Sequence, residues 1–190
     1  MQHLELSDSN AACQSDVSEA LDLVWTCACC GKEYKTLSFA YALDQPDAWH
    51  GVPEEQHRHR TTLGTDTCTI DGKQFFVRGR VLLPVEGSDD PFIWGCWASV
   101  SKETFEAYGK FWDVTNRADM PPFEGALASD IPIYPATSGL KCKIQMRDAR
   151  KRPSFILETD DHPLAIEQRN GITLDRVKEI AARILQHRKD

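Results

Sequence analysis

The sequence lacks any run of apolar residues that approaches the roughly 20 needed to cross a bilayer as a helix. Its first residues, MQHLELSDSN, also lack the basic start and the apolar stretch of a secretory signal peptide. These absences predict a protein without a membrane partner that works in the cytoplasm, where thiols stay reduced. The 7 cysteines, an odd number, then predict buried thiols or metal ligands rather than a disulfide framework.

Basic residues are also scarce relative to acidic ones. Lys and Arg number 22 against 29 Asp and Glu, which gives a net charge of -7. A general nucleic-acid-binding protein needs a basic surface, so we expect no nucleic-acid partner. The expected partner is instead another protein or a small molecule, which the sequence does not name.

Signatures of the common enzyme classes are missing as well. The chain contains no P-loop, no dinucleotide-binding glycine fingerprint, no nucleophile elbow and no His-Glu-x-x-His helix. At 190 residues it is long enough to bury a sizeable core without a metal or a disulfide. These observations favour a binding or accessory module that is not an enzyme.

The clearest pattern that is present is a series of β-strands in the middle of the chain. Residues 67–70 and 74–85 are rich in β-branched and aromatic side chains and flank an Asp71-Gly72 turn. Residues 92–100 return as another strand, which predicts an antiparallel meander. A second hairpin is predicted from residues 140–147 and 154–159. Residues 119–139, rich in proline, are interpreted as an irregular connection.

Helix signals follow these strands. Ser101 is a predicted N-cap, Pro163 and Gly171 bracket a short helix, and Thr173 precedes an amphipathic C-terminal helix. The resulting prediction is an α+β fold with a mainly antiparallel sheet of about five strands and helices packed on one face. It forms a single domain over residues 21–190, after a polar N-terminal leader at residues 1–20.

One local motif points to chemistry. Cys27 and Cys30 are separated by two residues and followed by Gly31, which is the usual form of a zinc knuckle. A structural zinc ion needs four ligands, and Cys68 is the predicted third because it opens the meander, where it could pair beside the strand at residues 21–27. The fourth is His57, His59 or Cys142. Zinc is therefore the candidate cofactor.

Two other interpretations of the cysteines stay open. They can be reduced thiols that bind no ion, or a redox pair. The redox interpretation requires the pair to sit at a helix N-terminus, where the dipole lowers a thiol pKa. Gly31 and the apolar strand before Cys27 argue against that placement.

A second candidate site surrounds His162. With Asp161 to orient its ring and Arg169 to hold an anion, His162 could serve as a general base in a hydrolase-like or metal-assisted enzyme. The structural alternative is that Asp161 or His162 caps the helix that begins at Pro163. A third function is that of an immunity-type inhibitor whose acidic face blocks a basic protein.

Several blocks of the sequence resemble a bacterial domain-of-unknown-function family, number twenty-one ninety-nine. They include CACCG at 27–31, DTCTIDGKQFFVRG at 66–79, WGCWASVS at 94–101 and RPSFILETDDHPLAIEQRNGIT at 152–173. The resemblance extends over about residues 24–188 and implies no established activity.

The same resemblance informs the candidate residues. It implies that Cys27, Cys30, Cys68 and His162 lie in recurring blocks of the family. The family pattern typically has a histidine four residues after the second knuckle cysteine, where this sequence has Tyr34. If that histidine binds metal in relatives, this chain has lost one ligand.

Overall fold

The computed structural model describes residues 20–187. The strands in this range are β1 (Ala20–Leu21), β2 (Trp25–Thr26), β3 (Glu33–Tyr34), β4 (Leu37–Ser38), β5 (Ala40–Ala42), β6 (Thr61–Leu63), β7 (Thr67–Ile70), β8 (Gln74–Leu83), β9 (Phe92–Val100), β10 (Phe123–Leu127), β11 (Lys141–Gln145) and β12 (Ser154–Leu157). The helices are α1 (Asp47–His50), α2 (Glu54–Arg60), α3 (Lys102–Lys110), α4 (Pro163–Asn170) and α5 (Leu174–His187), with a 3₁₀ turn at Arg117–Asp119. No helix in this range is both long and apolar enough to cross a membrane.

The main sheet of the described chain has eight strands, and part of it closes into a ring. β8 pairs with β9 along its length, and β9, β10, β11 and β12 follow in antiparallel order. β12 then returns to β8 through the parallel pair Ser154↔Arg80. β5 adds to β9 in parallel, while β7 and β6 extend the sheet beyond β8. The predicted α+β class is confirmed, with a larger sheet than expected.

The predicted meander is confirmed as β7, β8 and β9. Asp71 and Gly72 both have positive φ, 54° and 63°, and Lys73 N–H donates to the Ile70 carbonyl at 3.0 Å. This is the backbone of a type I′ turn, which matches the twist of the strands it joins. A strong local turn signal therefore fixes the register of the two strands on either side.

Two apolar clusters pack against this sheet. The larger fills the ring and contacts α5, and it includes Val77, Val81 and Phe155. The smaller lies on the other face, where Phe76 and Trp97 pack with Cys68. Because both faces of β8 are covered, adjacent residues such as Phe76 and Val77 are buried together.

β10 is one of the strands that the sequence did not predict, since it lies inside the segment interpreted as an irregular connection. Its pairing with β9 and β11 places Gly125 against the neighbouring strands. A Cβ atom on Gly125 would lie 2.7 Å from Ile144 Cδ1 and 2.9 Å from the Ser99 carbonyl oxygen. Glycine is therefore needed for close strand approach here, although it weakens the local strand signal.

The helix ends agree with the predicted caps. The Ser101 hydroxyl accepts the Thr104 N–H at 3.1 Å, and the Thr173 hydroxyl accepts the Arg176 N–H at 3.2 Å. Gly171 ends α4 with φ at 80°. The predicted leader falls outside the described residues except for Ala20.

Candidate metal centre

The cysteine motif forms a tight turn between β2 and β3. Gly31 N–H donates to the Cys27 carbonyl at 2.8 Å, and Cys27 N–H donates to the Lys32 carbonyl at 2.8 Å. Gly31 has φ at 68°, in the left-handed region that favours glycine. The turn therefore depends on the glycine that follows the cysteines, and it folds the chain back on itself at the sulfur atoms.

Aromatic packing holds the base of this turn. Trp25 and Tyr34 are paired across β2 and β3, and their rings stack with centroids 5.1 Å apart. The Trp25 indole N–H also donates to the Thr36 carbonyl at 2.9 Å. Tyr34, which stands where a histidine is expected from the resemblance, thus packs against Trp25 beside the turn.

The turn brings three sulfur atoms together. The Sγ atoms of Cys27, Cys29 and Cys30 all lie within 4.8 Å of one another. Cys27 is buried, whereas Cys29 and Cys30 are exposed. Cys27 and Cys30 were predicted from their spacing, but Cys29 was not, because a two-residue spacing rule passes over the residue between. We call these three residues the sulfur group.

The first two thiols of the sulfur group alter each other's pKa. The Sγ atoms of Cys27 and Cys29 are 2.7 Å apart and hydrogen-bonded. This hydrogen bond from Cys29 lowers the pKa of Cys27 to about 7, and it raises the pKa of Cys29 to about 11. At pH 7 the Cys27 thiol is therefore about half ionised, and a thiolate is the form of cysteine that binds metals.

The lowered pKa of Cys27 predicts that one thiol of the metal-free protein ionises at a lower pH than an ordinary cysteine. Absorbance at 240 nm should show one thiolate forming with a midpoint near pH 7, because Cys27 has its pKa lowered to about 7. In Cys29→Ser the midpoint should move up toward the ordinary thiol value of 9.0. If Cys27→Ser still forms one thiolate near pH 7, Cys27 is not the thiol whose pKa is lowered.

The lowered pKa of Cys27 also makes the stability of the folded protein depend on pH. Because the folded-state pKa of Cys27 lies below its ordinary value of 9.0, the folded state binds fewer protons than the unfolded state between about pH 7 and 9. The contribution of Cys27 to stability is therefore present above pH 9 and is lost as the pH falls through 7. Cys29 acts in the opposite direction between 9.0 and about 11.

Cys68 lies outside the sulfur group. It opens β7, but β7 pairs with β6 and β8, whereas the strand before Cys27 pairs with β3. Cys68 is buried in the smaller apolar cluster, and burial raises its pKa to about 11. The thiol is thus kept protonated in an apolar setting, which is a poor state for a metal ligand.

The two histidines proposed as fourth ligands also lie elsewhere. His57 and His59 are on α2, and His59 is exposed. His57 Nε2 is hydrogen-bonded to the Val52 carbonyl at 2.9 Å, and its ring lies 4.2 Å from that of Trp49. Neither belongs to the sulfur group. Cys142, the other alternative, is buried in the larger cluster, where burial raises its pKa to about 12.

His162 caps α4, which confirms the structural interpretation of this residue. Its Nδ1 accepts the Leu164 N–H at 3.2 Å, and its Nε2 is 3.3 Å from the Pro135 carbonyl. One neutral tautomer satisfies both contacts. Arg169 donates to the carbonyls of Thr159 and Asp160, at 2.8 Å each. The predicted catalytic partner Asp161 is exposed, and Arg169 pairs instead with the Asp160 carboxylate at 3.3 Å.

A pocket of about 470 Å³ opens between the cysteine turn and α5. Its walls include Trp25, Cys29, Asp175, Lys178, Glu179 and Arg183. The acidic side chains are paired with basic residues of α5. Asp175 accepts from Lys178 at 2.8 Å, and Glu179 accepts from Arg176 at 2.8 Å and from Arg183 at 2.7 Å. Cys29 is thus both a member of the sulfur group and part of a cavity wall.

Comparison with known proteins places the chain in a family. The model of a family described as "Uncharacterized protein conserved in bacteria (DUF2199)" matches residues 26–172. The chain belongs to this family. No curated protein and no solved structure shows a significant match. The DUF2199 match includes the whole cysteine turn, and it ends before α5, which forms the opposite wall of the pocket.

Proposed function

We propose that this DUF2199 protein is a non-enzymatic metal-binding accessory module that holds one zinc ion through Cys27, Cys29 and Cys30, with water as the fourth ligand. The observation that carries the proposal is the approach of the three sulfur atoms to within 4.8 Å of one another. Zinc–sulfur bonds of about 2.3 Å in tetrahedral geometry place the ligand sulfurs about 3.8 Å apart. The group can therefore reach zinc geometry by a small opening of the Cys27–Cys29 pair.

The electrostatics of the turn support the same conclusion. The lowered pKa of Cys27 leaves this thiol about half ionised at pH 7, so binding an ion requires the release of fewer protons than from ordinary thiols. Two of the three sulfurs are exposed, which leaves an entry path for the ion. The proposed location in the cytoplasm fits this site, because reduced thiols persist there.

The expected result is one zinc or cobalt ion per chain. Untagged protein would be reduced, saturated with the metal and desalted, and its content measured by elemental analysis. Cobalt adds a second signal, because thiolate ligands give it a charge-transfer absorption band. Cys29→Ser should lower the metal affinity at least tenfold, since loss of one of three ligands removes a large share of the binding free energy.

Cys68→Ser provides the matched control. It removes a buried thiol outside the sulfur group, so the stoichiometry should stay at one ion per chain even if the fold is less stable. A metal-free wild type at saturating zinc would end the proposal. So would a pattern in which Cys68→Ser loses the ion while Cys29→Ser keeps it.

A further inference from the structure

The Cys27–Cys29 contact suggests a second chemical property of the sulfur group. The two Sγ atoms are already 2.7 Å apart and hydrogen-bonded. A disulfide requires an approach to about 2.05 Å, which is a further movement of less than about 1 Å.

The two sulfurs also differ in their access to solvent. Cys27 is buried, whereas Cys29 is exposed and lines the pocket beside α5. Cys29 is therefore the sulfur of the pair that a small solute in the pocket can reach.

We propose that Cys27 and Cys29 form a reversible redox pair, which hydroperoxides convert to a disulfide. The Cys29 sulfur attacks one peroxide oxygen, the O–O bond breaks, and Cys29 becomes a sulfenic acid, while the other peroxide oxygen leaves as an alcohol or water with the proton that the Cys29 thiol gives up. The Cys27 sulfur then attacks the Cys29 sulfur. The S–S bond forms, the S–O bond breaks, and the hydroxide leaves as water with the Cys27 proton. The two thiols lose two electrons, and the peroxide gains them.

This pair does not need the helix N-terminus on which redox cysteines often depend. Its partner sulfur is already 2.7 Å away, where it can react with a sulfenic acid on Cys29. The consequence for a bound metal rests on the proposed function. A Cys27–Cys29 disulfide leaves Cys30 as the remaining thiol of the sulfur group, and one thiolate cannot retain zinc at the affinity of three. Oxidation would thus release the ion.

The test reads the disulfide directly, on metal-free protein. Trypsin releases residues 1–32 as one peptide, because the first lysine is Lys32 and no arginine precedes it. A Cys13→Ser background removes the other cysteine of this peptide. After one equivalent of hydrogen peroxide, free thiols are blocked with N-ethylmaleimide and the peptide is sequenced by mass spectrometry. We expect one added maleimide, on Cys30, and a loss of two hydrogens that dithiothreitol reverses.

Two variants provide the controls. Cys30→Ser should form the Cys27–Cys29 disulfide at a rate within about threefold of the parent, whereas Cys29→Ser should lose this product. A disulfide that joins Cys30 to either partner, or no disulfide at all, would overturn the inference. Because the measurement uses metal-free protein, it does not depend on zinc binding. A failure to bind zinc would overturn the proposed function and leave the redox result intact.

Discussion

Replacing Arg117 with methionine is expected to lower the free energy of unfolding by about 2 to 4 kcal/mol. The Arg117 side chain is fully buried, and its Nε donates to the carbonyls of Arg147 and Asp148 at 2.7 and 3.0 Å. Its Nη2 donates to the Lys151 carbonyl, and its guanidinium lies 5.1 Å from the centre of the Trp112 ring. Methionine keeps the volume but leaves these carbonyls without their charged donor.

The expected loss is smaller than a simple sum over those hydrogen bonds, because burying the cation itself costs free energy that methionine avoids. Urea unfolding followed by tryptophan fluorescence measures the difference. Arg150→Met is the matched control, since Arg150 lies in the loop that Arg117 contacts but is exposed and forms an ion pair with exposed Asp113. Its midpoint should not change measurably. An Arg117→Met variant as stable as wild type would show that buried Arg117 does not stabilise the loop at residues 147–151.

The second large effect is expected at Gly79, in the middle of β8. A Cβ atom there would lie 2.3 Å from Cζ and 2.4 Å from Cε1 of the Phe155 ring. Phe155 is completely buried in the larger cluster, so its ring has little room to move. We expect Gly79→Ala to lower the free energy of unfolding by about 2 to 3 kcal/mol through overpacking.

A double-mutant cycle separates this clash from other effects of the added methyl group. Phe155→Leu removes the ring atoms that a new Cβ would meet, so Gly79→Ala should cost at least about 1 kcal/mol less in that background. Gly109→Ala provides the control for the glycine substitution itself. Gly109 lies in α3 with open space where a methyl group would be added, and alanine there should stabilise the helix by up to about 1 kcal/mol. Strict additivity of the two changes at residues 79 and 155 would contradict the packing argument.

The parts of the fold that the sequence predicted are those with local signals. The Asp71-Gly72 turn, the Ser101 cap and the Pro163 helix start each depend on a few adjacent residues, and all three are confirmed. β10 was missed because Pro121 and Pro122 precede it and Gly125 lies inside it. Its strand geometry depends on pairing with β9 and β11. The residues immediately around β10 do not reveal these distant partners.

The same division applies to the candidate site. The spacing of Cys27 and Cys30 is local, and the structure brings these residues together. Cys68 was chosen from an assumed pairing of distant strands, and the observed pairing places it in the other apolar cluster. Cys29 joins the group because the turn through Gly31 folds its sulfur back toward Cys27. That curvature is a backbone property that the spacing of cysteines does not express.

The ring of strands has one weakly paired junction, between β12 and β8, which we call the seam. β12 meets β8 at the single pair Ser154↔Arg80, with one further hydrogen bond from the Arg80 N–H to the Pro153 carbonyl at 3.0 Å. Opening the ring at this seam therefore breaks few hydrogen bonds, whereas separating β8 from β9 breaks a ladder of nine residue pairs. Local opening takes the path of lowest free-energy cost. Local opening of the ring should thus begin between β12 and β8. It would expose the interior of the ring to water while β7, β8 and β9 stay paired.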